Sequence, residues 1–323
     1  MYTKPVKTID EIIVILRERG FLIPQDQEAR VKHFLETEWY YHSSSYIKSF
    51  YAKGKRDRVA KANIPFENVI HLYYCEKNLQ HLILRALLKI ETFLKAKLVH
   101  ITCDLYKDPF RYKDSQKIYD WDVQLVEKLV NEIIEENQKS PIISDFRKKH
   151  GNADLPFWYL TEVASFGPFI KFFHFAKEDI LNEFYILFGV HQHHWKFYKN
   201  QFFSRLSALC RIRNRVAHSE ILWSIRALPE ILLPNYKYTL NTTTSYICLI
   251  AWFLSKAEES VAIKMFYDMM TFLDTADAIK GVTFHEKQRM GINGNRIEKM
   301  ENWAIWAGLT PDKITFQSKD KAN

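Results

Sequence analysis

The sequence is poor in glycine, which makes up only 9 of its 323 residues, about 3% against a usual figure near 7%. It has no Asn-Gly or Asp-Gly pair between two alternating apolar runs, which is the strongest short signal of a β-hairpin. These absences disfavour turn-rich all-β folds. Long windows mix Leu, Ile, Phe, Lys and Glu at helical spacing, and this pattern predicts an all-α protein.

Cysteine and long apolar runs are also scarce. The four cysteines, Cys75, Cys103, Cys210 and Cys248, are far apart and lie in apolar helical stretches, which indicates core residues rather than a disulfide frame or a zinc site. The longest apolar run, 246–254, is about half of the roughly 20 residues that a membrane span needs. We therefore expect a cytoplasmic protein with no membrane partner.

Several catalytic motifs are missing. There is no Gly-Lys-Ser/Thr phosphate loop, no Gly-x-Gly-x-x-Gly that opens a helix and no Gly-x-Ser-x-Gly elbow, which disfavours nucleotide-driven enzymes and serine hydrolases. His191, His193 and His194, with His174, form a histidine group that no cysteine or closely spaced carboxylate completes. We predict no metal and no cofactor.

Positive charge is in excess, with 46 Lys and Arg against 38 Asp and Glu and a net charge of +8. This balance suits a polyanionic partner without establishing one. The strongest basic cluster lies in residues 48–61, where Gly54 indicates a loop, and either a solvated loop or an RNA phosphate contact fits it. The predicted RNA-binding residues of this cluster are Lys53, Lys55, Arg56, Arg58 and Lys61.

Helical periodicity divides the chain into three parts. We predict an N-terminal helical segment with the basic loop over 1–64, a helical core with an insertion over 65–281, and a C-terminal helical segment and tail over 282–323. The predicted helices are 8–19, one capped by Asp26, a long one from Pro65 to about Thr102, 116–136, 195–219 and 246–274, with a sharp interruption at Gly167-Pro168.

The segment Arg211-Ile-Arg-Asn-Arg-Val-Ala-His218 places several cations and one imidazole within two helical turns. Asn214 and His218 are four residues apart and share a helix face. Arg213 and His218 are five apart, about 140° around an ideal helix. A joint role requires Arg213 to reach round the helix or to act with a second copy, which indicates a homodimer.

These residue types suit RNA cleavage without a metal. RNA carries its own nucleophile, the 2′-OH, so a proton-transfer group and a cation for the phosphorane suffice. Histidine transfers protons near neutral pH and arginine offers a planar fork to phosphate oxygens, roles that we assign to His218 and Arg213, with Asn214 as the orienting group. Expected products are a 2′,3′-cyclic phosphate and a 5′-OH. Further predicted RNA contacts are Arg85, Arg211 and Arg215.

The segment 206–223, LSALCRIRNRVAHSEILW, resembles the Arg-Asn-x-x-Ala-His signature of HEPN domains and, more particularly, the AbiD/AbiF-like group of the Abi family of abortive-infection proteins. Further segments fit that family in the same order along nearly the whole chain: Lys4-Pro5, 16–20, 39–41, Tyr46, 84–91, 155–158, Glu162, 165–167, 290–292 and Trp303.

The resemblance implies a HEPN-like helical bundle with additional N-terminal and C-terminal helices. It also implies a ribonuclease-like protein of prokaryotic phage defence, in which Arg213, Asn214 and His218 are active-site residues. Some members of the family resemble toxins restrained by a small regulatory RNA. Ser219 and Ser224 depart from the pattern, since many relatives have a second His and an Asn at these positions.

The sequence leaves open the roles of two carboxylates and the choice among three functions. Glu91 and Glu162 either orient Arg213 or His218, or are surface carboxylates paired with a nearby lysine. The first function is an endoribonuclease that acts as a toxin or phage-defence effector. The second is a non-catalytic or latent protein that holds a structured small RNA, and the third is a purely structural interaction protein.

Overall fold

The computed structural model describes residues 6–52, 59–60, 63–114, 123–189, 195–222, 231–232, 239–240 and 242–281. These residues form twelve α-helices, a short 3-10 turn and four strands of two residues each, so the chain has an all-α fold. The predicted all-α class is confirmed.

The helices are numbered in chain order. They are α1 Ile9–Glu18, α2 Gln25–Thr37, α3 Tyr40–Lys48, α4 Glu67–Tyr106, α5 Val123–Glu136, α6 Pro141–His150, α7 Phe157–Val163, α8 Phe166–Phe175, α9 Glu178–Leu187, α10 Trp195–Ala217, α11 Thr243–Ala257 and α12 Glu259–Ala278. The strands pair as β1 Phe21–Leu22 with β2 Ile64–Pro65, in parallel, and as β3 Ile231–Leu232 with β4 Thr239–Leu240, antiparallel.

The first two helices show how local sequence sets their starts. Thr8 caps α1 in a capping box, because its hydroxyl accepts from the Glu11 N–H at 3.2 Å and its N–H donates to the Glu11 carboxylate at 2.7 Å. The prediction that Asp26 caps the second helix was wrong. Pro24 occupies the cap position and Asp26 lies in the first turn, where its charge interacts favourably with the helix dipole.

The 40-residue α4 is the central element of the core and is about 60 Å long. Its start and extent agree with the predicted long helix. Seven apolar side chains that predicted its buried stripe are all buried, and they are Val69, Leu72, Leu79, Ile83, Leu87, Ile90 and Leu94. α4 ends at Tyr106, and the cap residue Lys107 has a φ of 53°, in the left-handed region.

The interruption predicted at Gly167-Pro168 lies two residues earlier. α7 ends at Val163, and Ser165 stands in extended conformation at the cap position of α8. Gly167 and Pro168 belong to the first turn of α8, where a proline removes no hydrogen bond because the first N–H groups of a helix have no intrahelical acceptor.

The last long helix of the sequence prediction, 246–274, is two helices. Glu258 adopts extended dihedral angles, φ −162° and ψ 104°, between α11 and α12. Its carboxylate lies 2.7 Å from Lys89 Nζ on α4. The break lets α11 and α12 pack side by side against α4, and the residues from Thr243 to Leu254 are all buried.

A continuous hydrophobic core runs from Ile13 to Ile279. Around it, α10 packs against α4, α8 and α11. The division at residue 64 into separate segments stays a prediction, and residues 282–323 lie outside the described residues. Among the described residues, no helix combines the length and apolar character that crossing a membrane requires.

Candidate functional site

The predicted motif lies at the C-terminal end of α10, where one side of the helix is buried and the other is open. Leu209, Ile212 and Val216 are buried in the core. Arg211, Asn214 and His218 are exposed, and at 100° per residue they lie within an arc of about 60°. The motif therefore presents a polar face to solvent.

His218 stands at the position where α10 ends. The Ser219 N–H donates to the Val216 carbonyl at 3.1 Å and the Glu220 N–H donates to the Arg215 carbonyl at 2.9 Å, which together form a Schellman ending. Ser219 has a φ of 54°, in the region that favours glycine. His218 is exposed, and its imidazole has no hydrogen-bond or ion-pair partner in the described part of the chain.

Arg213 points away from this open face and towards α4. Its Nε lies 3.9 Å from Glu91 Oε2, and its side chain is 29% exposed. Both of these atoms are buried, and neither has a hydrogen-bond partner among the described residues. The two atoms thus attract each other by charge without forming a hydrogen bond, and Arg213 and His218 serve different faces of α10.

Glu91 lies between two cations. Its Oε1 is 3.0 Å from Lys95 Nζ, one turn further along α4. Lys95 also donates to the Ala164 carbonyl at 2.7 Å and to the Glu162 carbonyl at 3.4 Å, and so ties α4 to the end of α7. Of the two predicted supporting carboxylates, Glu91 contacts Arg213, whereas Glu162 enters this network through its backbone oxygen.

Asn214 is oriented by its neighbours on α10. Its side-chain oxygen accepts from Arg213 Nη1 at 3.4 Å, and its amide nitrogen lies 4.0 Å from the sulfur of Cys210. Burial raises the pKa of the Cys210 thiol. A neutral thiol is a weak acceptor, so the long contact to Arg213 is the stronger influence on the Asn214 amide.

Arg211 and Arg215 lie one turn apart on α10. Burial raises the pKa of Tyr246 on α11 to about 12, and both guanidinium groups oppose that increase. Arg215 Nη1 is 3.6 Å from Glu220 Oε2, whereas Arg211 is exposed. Arg211 extends the polar face of Asn214 and His218.

The family model described as Abi-like protein matches residues 33–224, more than half of the chain. The chain belongs to the Abi-like protein family. The match ends just after the motif, so α4 and α10, the helices that carry Glu91 and Arg213, are part of the family's shared region. Membership indicates a role in abortive infection, a form of phage defence. Comparison with curated proteins and with solved structures found no match.

Arg85, a further predicted RNA contact of this Abi-like protein, lies on α4. Arg85 lines a groove of about 600 Å³ between α4 and α12, together with Leu88, Lys89 and Lys264. Arg85 is six residues before Glu91, about 240° around α4, so it projects from a different face than the one that meets Arg213. The five cations of the basic cluster, Lys53, Lys55, Arg56, Arg58 and Lys61, lie outside the described residues, as do His191, His193 and His194.

Sequence reasoning missed Glu76, a carboxylate of α4 that contacts the chain just beyond the motif. Glu76 is fully buried, and its Oε1 accepts from the Leu222 N–H at 2.6 Å. A signal for it was present in the sequence. Glu76 falls at the helical spacing of Val69, Leu72 and Leu79, so it occupies a core position that an unpaired charge avoids.

Proposed function

We propose that this Abi-like protein is a HEPN-type endoribonuclease that cleaves RNA without a metal and acts as a toxin or phage-defence effector. His218 transfers a proton to or from the ribose 2′-OH or the leaving 5′-oxygen, Arg213 stabilises the charge of the phosphorane, and Asn214 orients the reacting group. The proposal includes a cytoplasmic location, since its target is cellular RNA.

One observation carries the proposal. The imidazole of His218 is exposed at the end of α10, beside the exposed Asn214 and Arg211. A polynucleotide backbone needs an open polar surface with positive charge, and this face offers one. A buried His218 would have no access to a ribose-phosphate chain.

The separation of Arg213 and His218 supports a site shared between two subunits. Within one chain Arg213 is directed to Glu91 on α4, and His218 is directed to solvent. In the proposed dimer the two α10 ends face each other, and the imidazole of one copy forms a site with the guanidinium of the other. We therefore propose a homodimer in which each site takes residues from both subunits.

The chemistry is tested by the ends of the products. Purified protein is incubated with total RNA in excess EDTA, and the new ends are identified by enzymatic labelling and mass spectrometry. Attack by the 2′-OH yields 2′,3′-cyclic phosphate and 5′-OH ends in the presence of the chelator. Products with 5′-phosphate ends, or cleavage abolished by EDTA, would contradict the mechanism.

The shared site is tested by mixing variants. R213A and H218A proteins are each inactive under the proposal, but a mixed dimer of the two contains one site with both residues. After subunit exchange, an equal mixture should recover roughly a quarter of wild-type cleavage, as random pairing of two chains predicts. A mixture as inactive as the separate variants, although exchange is verified by mass spectrometry, would contradict the shared site.

The charge attraction between Glu91 and Arg213 favours a second candidate function, that of a latent or non-catalytic protein that binds a structured small RNA. A guanidinium attracted towards Glu91 is turned away from the open face, so the isolated chain could bind RNA on the Arg211 face without cleaving it. RNA that copurifies, binds with strong salt dependence and stays intact would favour this function. Failure to bind any RNA at low salt would leave a structural interaction protein.

A further inference from the structure

A buried carboxylate on α4 holds the chain that follows the motif. Glu76 is 0% exposed. Its Oε1 accepts from the Tyr46 hydroxyl at 2.9 Å, from the Gln80 side-chain amide at 3.0 Å and from the Leu222 N–H at 2.6 Å. A carboxylate suits three donors that converge on one oxygen, because its negative charge makes it a stronger acceptor than a neutral group.

The partners of Glu76 are fixed in their donor roles. Burial, followed by the neighbouring Glu76 carboxylate, raises the pKa of Tyr46 far above its usual range, so its hydroxyl keeps its proton. The Gln80 amide nitrogen donates both to Glu76 and to the Glu220 carbonyl at 2.9 Å, while the Gln80 oxygen accepts from Lys77 Nζ at 3.3 Å. Tyr46 and Gln80 therefore both act as donors to Glu76.

Residues 220–222, which follow His218 and Ser219, are anchored by hydrogen bonds at both ends. The Glu220 N–H closes α10 on the Arg215 carbonyl, and its carbonyl accepts from Gln80. The Leu222 N–H donates to Glu76, and its carbonyl accepts from the Thr243 hydroxyl at 3.2 Å. Only Ser219 separates His218 from this anchored segment.

We propose that Glu76 is a positioning residue for His218. Glu76 fixes residues 220–222, and this segment in turn sets the direction in which the His218 imidazole projects from the end of α10. Loss of the acceptor leaves the buried Leu222 N–H unpaired, and a buried donor without a partner drives the segment to rearrange. The role in cleavage rests on the proposed function, whereas the anchoring of the segment does not.

E76Q tests the proposal, because it keeps the shape of the side chain and offers the Leu222 N–H a neutral amide oxygen, a weaker acceptor than the charged carboxylate. Hydrogen exchange of the Leu222 amide and single-turnover and steady-state RNA cleavage are measured in wild type and variant. We expect Leu222 exchange at least tenfold faster and kcat at least tenfold lower, with KM within threefold. A carboxylate that only stabilises the fold would leave kcat of the folded protein unchanged.

Y112F is the matched control. The Tyr112 hydroxyl is also buried and donates to the Leu155 carbonyl at 2.7 Å, but it contacts neither the motif nor residues 220–222. It should leave Leu222 exchange and kcat within twofold of wild type. If E76Q fails to fold, T243V, which releases the Leu222 carbonyl from the other side, is expected to shift both measurements in the same direction.

The outcomes separate the two proposals. Unchanged Leu222 exchange in folded E76Q, or in T243V where E76Q does not fold, would overturn the anchoring. Faster exchange with an unchanged kcat would overturn the positioning role.

If wild type cleaves no RNA, the proposed function fails, and the inference is then tested by the number of His218 imidazole signals in the NMR spectra. We expect one signal in wild type and several in E76Q, and one signal in both would refute it.

Discussion

The contact between Arg213 and Glu91 predicts a measurable energetic coupling between α10 and α4. E91Q removes the negative charge that lies 3.9 Å from Arg213 Nε and 3.0 Å from Lys95 Nζ. R213Q removes the guanidinium. If the pair attracts as the geometry indicates, the two substitutions together destabilise the protein by less than the sum of their separate effects.

The distance sets the size of this coupling. Two unit charges 3.9 Å apart interact by about 1 kcal/mol in bulk water and by about 4 kcal/mol at an effective dielectric constant of 20. The side chains of Arg213 and Glu91 are 29% and 11% exposed, which places the pair between these limits. Because no hydrogen bond joins the two atoms, we expect a coupling of about 2 kcal/mol.

Urea unfolding of wild type, both single variants and the double variant at pH 7 and low salt measures the coupling. The cycle between E91Q and R211Q is the matched control, since Arg211 is on the same helix but is exposed on another face. The coupling energy from that cycle should be within about 0.5 kcal/mol of zero, as it is for sites that do not interact. A coupling below 0.5 kcal/mol for E91Q with R213Q would refute the argument that α4 holds Arg213.

Three further predictions concern the stability of the fold. Ser219 has a φ of 54°, so S219G should raise the free energy of unfolding in urea by about 0.5 to 1 kcal/mol. This figure is the left-handed backbone strain that glycine relieves, minus the conformational entropy that glycine loses on folding. S219A keeps the strain and should not raise the free energy of unfolding. Burial, followed by the charge of Lys77, lowers the pKa of His42 below its ordinary value of 6.5. The folded state therefore binds fewer protons than the unfolded state, and stability should fall as pH drops below 6.5. The urea midpoint should depend less on pH between pH 5 and 8 in H42Q than in wild type, and an equal dependence would contradict the assignment. G281A should lower stability by about 2 kcal/mol, because φ is 94° and a Cβ would lie 2.5 Å from Ile64 Cδ1. G20A is the control, since Gly20 has a similar φ of 90° and a Cβ there would meet no atom closer than 3.6 Å, so it should cost about 1 kcal/mol. Equal losses in the two variants would show that the clash with Ile64 contributes nothing.

Periodicity predicted the elements whose faces are sharply divided between core and solvent. α4 carries an apolar residue at almost every third or fourth position from Val69 to Leu94, and the predicted helix agrees with the observed one. The break between α11 and α12 could not be predicted in the same way. Glu258 is neither glycine nor proline, and its extended conformation accompanies an ion pair with Lys89, which is distant in sequence.

The site shows the same limit. Spacing alone placed Asn214 and His218 on one face and Arg213 on another, and the exposed and half-buried positions agree with that geometry. Spacing could not indicate that Arg213 meets Glu91, because that contact depends on how α10 packs against α4. Nor could it indicate the role of Glu76, whose acceptor oxygen meets a backbone N–H 146 positions later.

The single-turnover rate of RNA cleavage by H218A beside wild type tests the central claim most directly. H100A is the matched control, since His100 is also an exposed histidine, near the end of α4. Loss of a proton-transfer group typically lowers the rate by about 10² to 10⁴, so we expect H218A to be at least about 100-fold slower and H100A to equal wild type. A folded H218A protein that cleaves RNA as fast as wild type would contradict the account.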